Sequence, residues 1–156
     1  MSVTTIDMDI PSIDSTYFKS YMDYRTITDE NSLQWEIQNY SNAYTDNQGF
    51  RRINEDYIIA IGTYYSKECG DRYRITLENG EIFTALVGDI KANCDTNSTN
   101  QYCEIKDNNG NLICGNVIEF IVDTDVLDDD IESSGDISNL GFEGNIIKIE
   151  KFIIDK

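Results

Sequence analysis

Residues 57–89, YIIAIGTYYSKECGDRYRITLENGEIFTALVGD, decide the fold class of this chain. Three runs rich in β-branched and aromatic residues, 57–63, 72–77 and 82–87, predict strands. The last two are separated by Glu78-Asn79-Gly80, and Asn-Gly between alternating runs predicts a hairpin. The third run closes on Gly88-Asp89, which predicts the end of a buried strand carrying a single carboxylate. Outward from this segment the pattern stays β-rich. Runs at 101–105 and 112–114 flank the turn Lys106-Asp107-Asn108-Asn109-Gly110-Asn111. In 117–122 (VIEFIV), Val117, Glu119 and Ile121 alternate with Ile118, Phe120 and Val122. A final strand at 145–154 alternates through Ile147, Ile149 and Lys151. Between them, Asp123 to Asp136 form an acidic loop with a short helical turn expected at 126–131.

Upstream, residues 1–16 are polar and β-branched, hold the only proline, Pro11, and read as an extended arm. A short helix is expected over about residues 30–40, with Leu33, Ile37 and Tyr40 on its apolar face and the only tryptophan, Trp35, packing the arm inward. The expected architecture is mainly β: a small six- to seven-stranded barrel (residues 51–156) preceded by an N-terminal arm with one short helix (residues 1–50).

Composition limits the function. With 156 residues, 40% of them hydrophobic, the chain is long enough for one domain with a real core. Twenty-nine acidic residues against 12 basic give a net charge of −17. That charge argues against nucleic-acid partners and anionic membrane surfaces, whose affinity comes from Lys and Arg. Histidine is absent, so triads built on it and His-containing zinc sites are excluded. The four cysteines, Cys69, Cys94, Cys103 and Cys114, form no C-x-x-C pair, and they read as reduced thiols. The opening MSVTTIDMDI has neither a basic nor an apolar signal region, which predicts a protein made in the cytoplasm without a signal peptide, with virion association as one destination. No cofactor or metal is implied. The acidic loop lacks EF-hand spacing, and Asp107 to Asn111 read as a turn.

The order of elements, with Cys69-Gly70-Asp71-Arg72 before the hairpin, Val87-Gly88-Asp89-Ile90-Lys91-Ala92 after it and Val117-Ile118-Glu119-Phe120 later, resembles the double-psi β-barrel of bacterial cell-wall proteins. The nearest patterns are the three-aspartate domain of lytic transglycosylases and the rare lipoprotein A family. The resemblance covers residues 57–122 and implies a peptidoglycan-directed function with Asp89 as a catalytic-type carboxylate and Glu119 standing for a second aspartate. Two departures are visible. Gly62 occupies the place of the first aspartate, and Ile90-Lys91-Ala92 replaces the Arg-Gly-Pro of the lipoprotein pattern. The chain as a whole also resembles small proteins of gut Firmicutes and their phages.

Two functions follow. In the first, Asp89 is the acid/base for cleaving glycan strands, Glu119 raises its pKa from a neighbouring strand, Lys91 orients substrate or neutralises Asp89, and Tyr64 and Tyr65 stack on sugar rings. In the second, the barrel is a non-catalytic scaffold of a phage tail or baseplate, with bacterial or phage proteins as partners. There Asp89 simply begins a loop.

Overall fold

The computed structural model describes residues 3–13, 20–40, 42–134, 137 and 140–154. It is mainly β, and its centre is the segment 57–89. β5 (Asp56–Ile61), β6 (Arg72–Leu77) and β7 (Ile82–Ile90) lie side by side, with β6 and β7 antiparallel and β7 returning parallel to β5. The β6–β7 hairpin turns through Glu78, Asn79 and Gly80. Leu77 N–H donates to Glu81 O at 2.9 Å, and Gly80 takes φ +89°, the conformation glycine adopts without penalty.

β10 (Ile118–Val122) adds to the far side of β5, and β2 (Tyr21–Asp23) pairs in parallel with β10. On the other side, β11 (Ile146–Ile154) pairs with β6, and β1 (Val3–Met8) pairs with β11 over six residues, from Val3 opposite Ile154 to Met8 opposite Ile149. The path is thus β1-β11-β6-β7-β5-β10-β2. β3 (Tyr44–Thr45) and β4 (Arg51–Ile53) extend it beside β5, while β8 (Ile105–Lys106) and β9 (Leu112–Cys114) form a separate hairpin. The described residues also include two α-helices, α1 (Leu33–Tyr40) and α2 (Asp129–Ser134). Among the described residues no pairing joins β1 to β2, so the hydrogen-bonded path is open. Both regions expected from the sequence, 1–50 and 51–156, contribute strands to this one sheet. Residues 3–8 are the edge strand β1 rather than a free arm, because their backbone groups are taken up by β11. No described helix is long and apolar enough to cross a membrane.

Burial explains the strand assignments. One face of the sheet closes on a core of Ile59, Ile61, Tyr73, Ile75, Ala85, Val87, Ile118 and Ile149, all fully buried or nearly so. Within it Phe50, Tyr57, Phe83, Phe120 and Phe142 form an aromatic cluster. Phe120 and Phe142 ring centroids are 4.7 Å apart, and Phe50 meets Tyr57 edge-on at 5.2 Å. Each such pair adds about 0.5–1.5 kcal/mol beyond its burial. The opposite face of β5, β7 and β10 buries Ile58 and Ile121 under Ile37 of α1. β5 and β10 are therefore apolar on both faces, which accounts for their near-continuous hydrophobic runs.

Three local expectations change. α1 begins at Leu33, where Ser32 Oγ accepts from Trp35 N–H at 3.1 Å as an N-cap. Leu33 and Tyr40 stay exposed, and only Ile37 of the expected apolar face is buried, because the helix meets the sheet with Ile37 and Gln38. β11 breaks its alternation at a register shift between Ile146 and Lys148, so Ile146 and Ile149 point inward while Ile147 is 54% exposed. The late helical turn falls at 129–134 rather than 126–131.

Candidate functional site

β7 does not end at Gly88. It continues to Ile90 through a bulge, where Val87 stands opposite Ile59 and Asp89 opposite Ala60, leaving Gly88 as the extra residue. A Cβ at Gly88 would overlap Ile58 Cγ2 and lie 3.4 Å from Ile121 Cδ1, so glycine is what lets β7 approach its neighbours here. The bulge carries Asp89 onto the helix face of the sheet.

On β10, Glu119 stands opposite the same Ala60. Asp89, Ala60 and Glu119 therefore form one row across three strands, with the two carboxylate residues two strand spacings apart, about 9–10 Å between Cα atoms. Ala60 is the floor between them, and its small side chain leaves a cavity of about 410 Å³. Asp95, Glu104, Cys94 and Cys103 add to its wall, from the segment after β7 and the segment before β8. Their backbones are joined by the Thr96–Cys103 bridge and by Glu104 N–H donating to Asp95 O at 3.3 Å.

Burial pushes the Asp89 carboxyl above the usual carboxylate range. The Ile90 N–H, which donates to Asp89 Oδ1 at 2.9 Å, and the Gln34 side chain on α1 oppose that rise, and the charge of Glu119 reinforces it. Lys91 is two residues on, but its side chain is only 6% exposed. Its ammonium donates to Asn116 Oδ1 at 2.5 Å and reaches Glu119 Oε1 at 3.5 Å, and Asn116 Nδ2 donates to Ser20 Oγ at 2.8 Å. Lys91 thus holds Glu119 and Asn116 on the wall of the same cavity, and its positive charge also opposes the rise at Asp89. Cys69 packs on the helix side near Asp89. Burial, with Asp89 and Asp71 adding to it, pushes its thiol up to about 11, so it remains protonated at neutral pH and does not supply a thiolate.

The structure brings Asp89, Lys91 and Glu119 together and leaves Tyr64 and Tyr65 apart from them. Tyr65 is 2% exposed, which rules out stacking on a sugar. Its hydroxyl donates to Asp9 O at 2.8 Å, and the more exposed Tyr64 donates to Asp9 Oδ2 at 3.1 Å. The pair clasps the segment that follows β1, beside a separate shallow cavity with Lys67, Asp71 and Lys151.

Gly62 also gains a reason. A Cβ there would collide with the backbone carbonyl oxygen of Asn100, a rigid obstacle, because that carbonyl accepts from Tyr64 N–H at 3.2 Å. No side chain, and so no aspartate, fits at this end of β5.

The residues missed by sequence reasoning are Ala60, Gln34 and Asn116. Ala60 carries no chemistry, and the other two become relevant only through contacts across the fold. No protein-family model, no curated protein and no solved structure matches the chain.

Proposed function

We propose that the chain is a cell-wall-associated β-domain that binds peptidoglycan glycan strands and cleaves them slowly, in the manner of a lytic transglycosylase, with Asp89 as the acid/base. The observation that carries this reading is the Asp89–Ala60–Glu119 row: a carboxyl with an upward-shifted pKa on the wall of an open cavity, facing a second carboxylate. A protonated Asp89 gives its proton to the glycosidic oxygen as the C1–O bond breaks. Glu119, held by Lys91, stabilises the positive charge that develops on the sugar ring. The 6-hydroxyl of the same sugar then attacks C1, and its proton returns to Asp89, leaving an anhydro end and a free hydroxyl on the leaving strand. In this reading the mixed sheet, with its two parallel pairings and one large enclosed core, is a barrel of the double-psi type.

A second reading, a non-catalytic scaffold of a phage tail or baseplate, is favoured by the outer edge of β1. Among the described residues it pairs with no other strand, and it leaves Val3 and Ile6 about half exposed.

Turbidity loss and muropeptide release from purified peptidoglycan, measured for wild type and Asp89→Asn side by side, separate the two. Release by wild type alone assigns the cleavage to Asp89. Release by neither protein refutes the enzymatic reading and leaves the scaffold.

A further inference from the structure

α1 carries Gln34 toward Asp89 and, one residue later, Trp35 into a second concavity. This notch of about 240 Å³ is lined by Tyr24, Arg25, Ile27, Thr28, Trp35 and Asn39. It is smaller than the roughly 300–1,000 Å³ that drug-sized ligands need, and its volume suits a single ring. Its aromatic walls are fixed. The Arg51 guanidinium sits 4.3 Å from the Tyr24 ring centroid, and Tyr40 meets Trp35 edge-on at 5.2 Å.

The rim holds unused hydrogen-bonding groups. Asn39 Nδ2 donates to Trp35 O at 2.9 Å, and its Oδ1 has no partner among the described residues. The Trp35 indole N–H and the Thr28 hydroxyl have no partner among the described residues. Arg25 offers nothing to an anion, because Asp23, Asp123 and Asp125 engage its guanidinium. The net charge of −17 disfavours an anionic ligand further.

We infer that this notch is a binding subsite for one neutral pyranose ring. The apolar C–H face of the sugar packs on Trp35, while Tyr24, with the Arg51 and Arg25 guanidinium groups 4.3 and 5.3 Å from its ring centroid, forms a side wall, and the sugar hydroxyls bond the indole N–H, Asn39 Oδ1 and Thr28. The inference takes its ligand class from the glycan reading above, but it does not require Asp89 to be catalytic.

Trp35 is the only tryptophan, so its emission reports directly on the notch. The full-length protein is titrated with chitotriose, cellotriose and adenosine. A saturable change in Trp35 emission with either sugar is expected. It should persist in Asp89→Asn and weaken at least tenfold in Asn39→Ala, a substitution at an exposed position, with the variant's melting temperature compared with that of wild type. An unsaturating response to both sugars overturns the inference. So does tighter binding of adenosine, which offers a flat π-ring instead of a C–H face, and so does an Asn39→Ala protein that binds like wild type. Because binding is read on Asp89→Asn as well, loss of glycan cleavage and loss of the notch are scored independently.

Discussion

Gly88→Ala puts the bulge in β7 to a quantitative test. The added methyl overlaps Ile58 Cγ2, and Ile58 is fully buried between β5 and α1. A β-branched side chain in a strand has little χ1 freedom, so Ile58 does not swing away, and the overlap must be relieved by moving backbone. Overpacking of this kind costs about 1–3 kcal/mol. For a domain of this size each kcal/mol lowers Tm by about 2–4 °C, so Gly88→Ala should melt about 2–12 °C below wild type. The mechanism makes a sharper demand. Leucine has no Cγ2, so Ile58→Leu, a volume-conserving swap costing under about 1.5 kcal/mol, should absorb most of the penalty. Urea and thermal unfolding of wild type, both single variants and the double variant give the coupling energy, expected to be about 1 kcal/mol in favour of the pair. A Gly88→Ala protein within about 0.5 kcal/mol of wild type, or one with the same loss in both backgrounds, would refute the close-approach argument, since ordinary surface changes stay within that range.

Three further expectations concern charge and the sheet edge. Asp89 is held above the ordinary carboxylate range, so its neutral form suits the fold. The stability this gives is present at acid pH and is lost as pH rises from the ordinary aspartate range through the folded pKa. Asp89→Asn should therefore be more stable than wild type at neutral pH, with the difference closing on acidification, as followed by urea unfolding across pH. Asp56 behaves oppositely. Burial alone would raise its pKa, yet Arg72, bidentate at 2.6 and 2.9 Å, and Thr84 at 2.6 Å hold it below the ordinary range. Its stabilisation is present above the ordinary aspartate range and is lost as pH falls through the lower folded value, and Asp56→Ala should cost about 2–3 kcal/mol at pH 7 and progressively less in acid. Deleting residues 1–8 removes β1, the strand paired along β11, and should lower stability by roughly 2 kcal/mol or more in chemical denaturation, at about 0.5–1.5 kcal/mol for each ladder hydrogen bond; unchanged stability would mean that β1 contributes nothing to the fold.

The central hairpin was legible because its signals are local: alternation in 72–77 and 82–87, and Asn79-Gly80 between them. The site was legible in part for the same reason, since Asp89, Lys91 and Glu119 sit at or next to strand positions that alternation orders. What escaped was set by neighbours. Gly88 looked like a terminus, although a glycine inside a strand pattern also marks a bulge, and only the Ile58 contact distinguishes the two. Residues 3–8 looked like an arm because their partner lies about 150 residues away in sequence at β11. Ile147 looked like core because alternation assumes an unbroken register, and β11 shifts there. Tyr64 and Tyr65 were grouped with the site by sequence proximity to Gly62, whereas the hydrogen bonds of both hydroxyls to Asp9 make them a clasp.

The outer edge of β1 also bears on how copies of this chain could meet. Its six residues, VTTIDM, contain neither lysine nor proline, two usual devices that blunt an edge strand, and Asp7 is the one charge among them. Long-range repulsion from the −17 net charge is then the feature that opposes edge-to-edge pairing. That repulsion weakens within a Debye length of about 10 Å at 0.1 M salt and vanishes near the isoelectric point, about pH 4.1. Mildly acidic, salty conditions are thus where edge-to-edge assembly through β1 is expected, with light scattering rising before any loss of secondary structure.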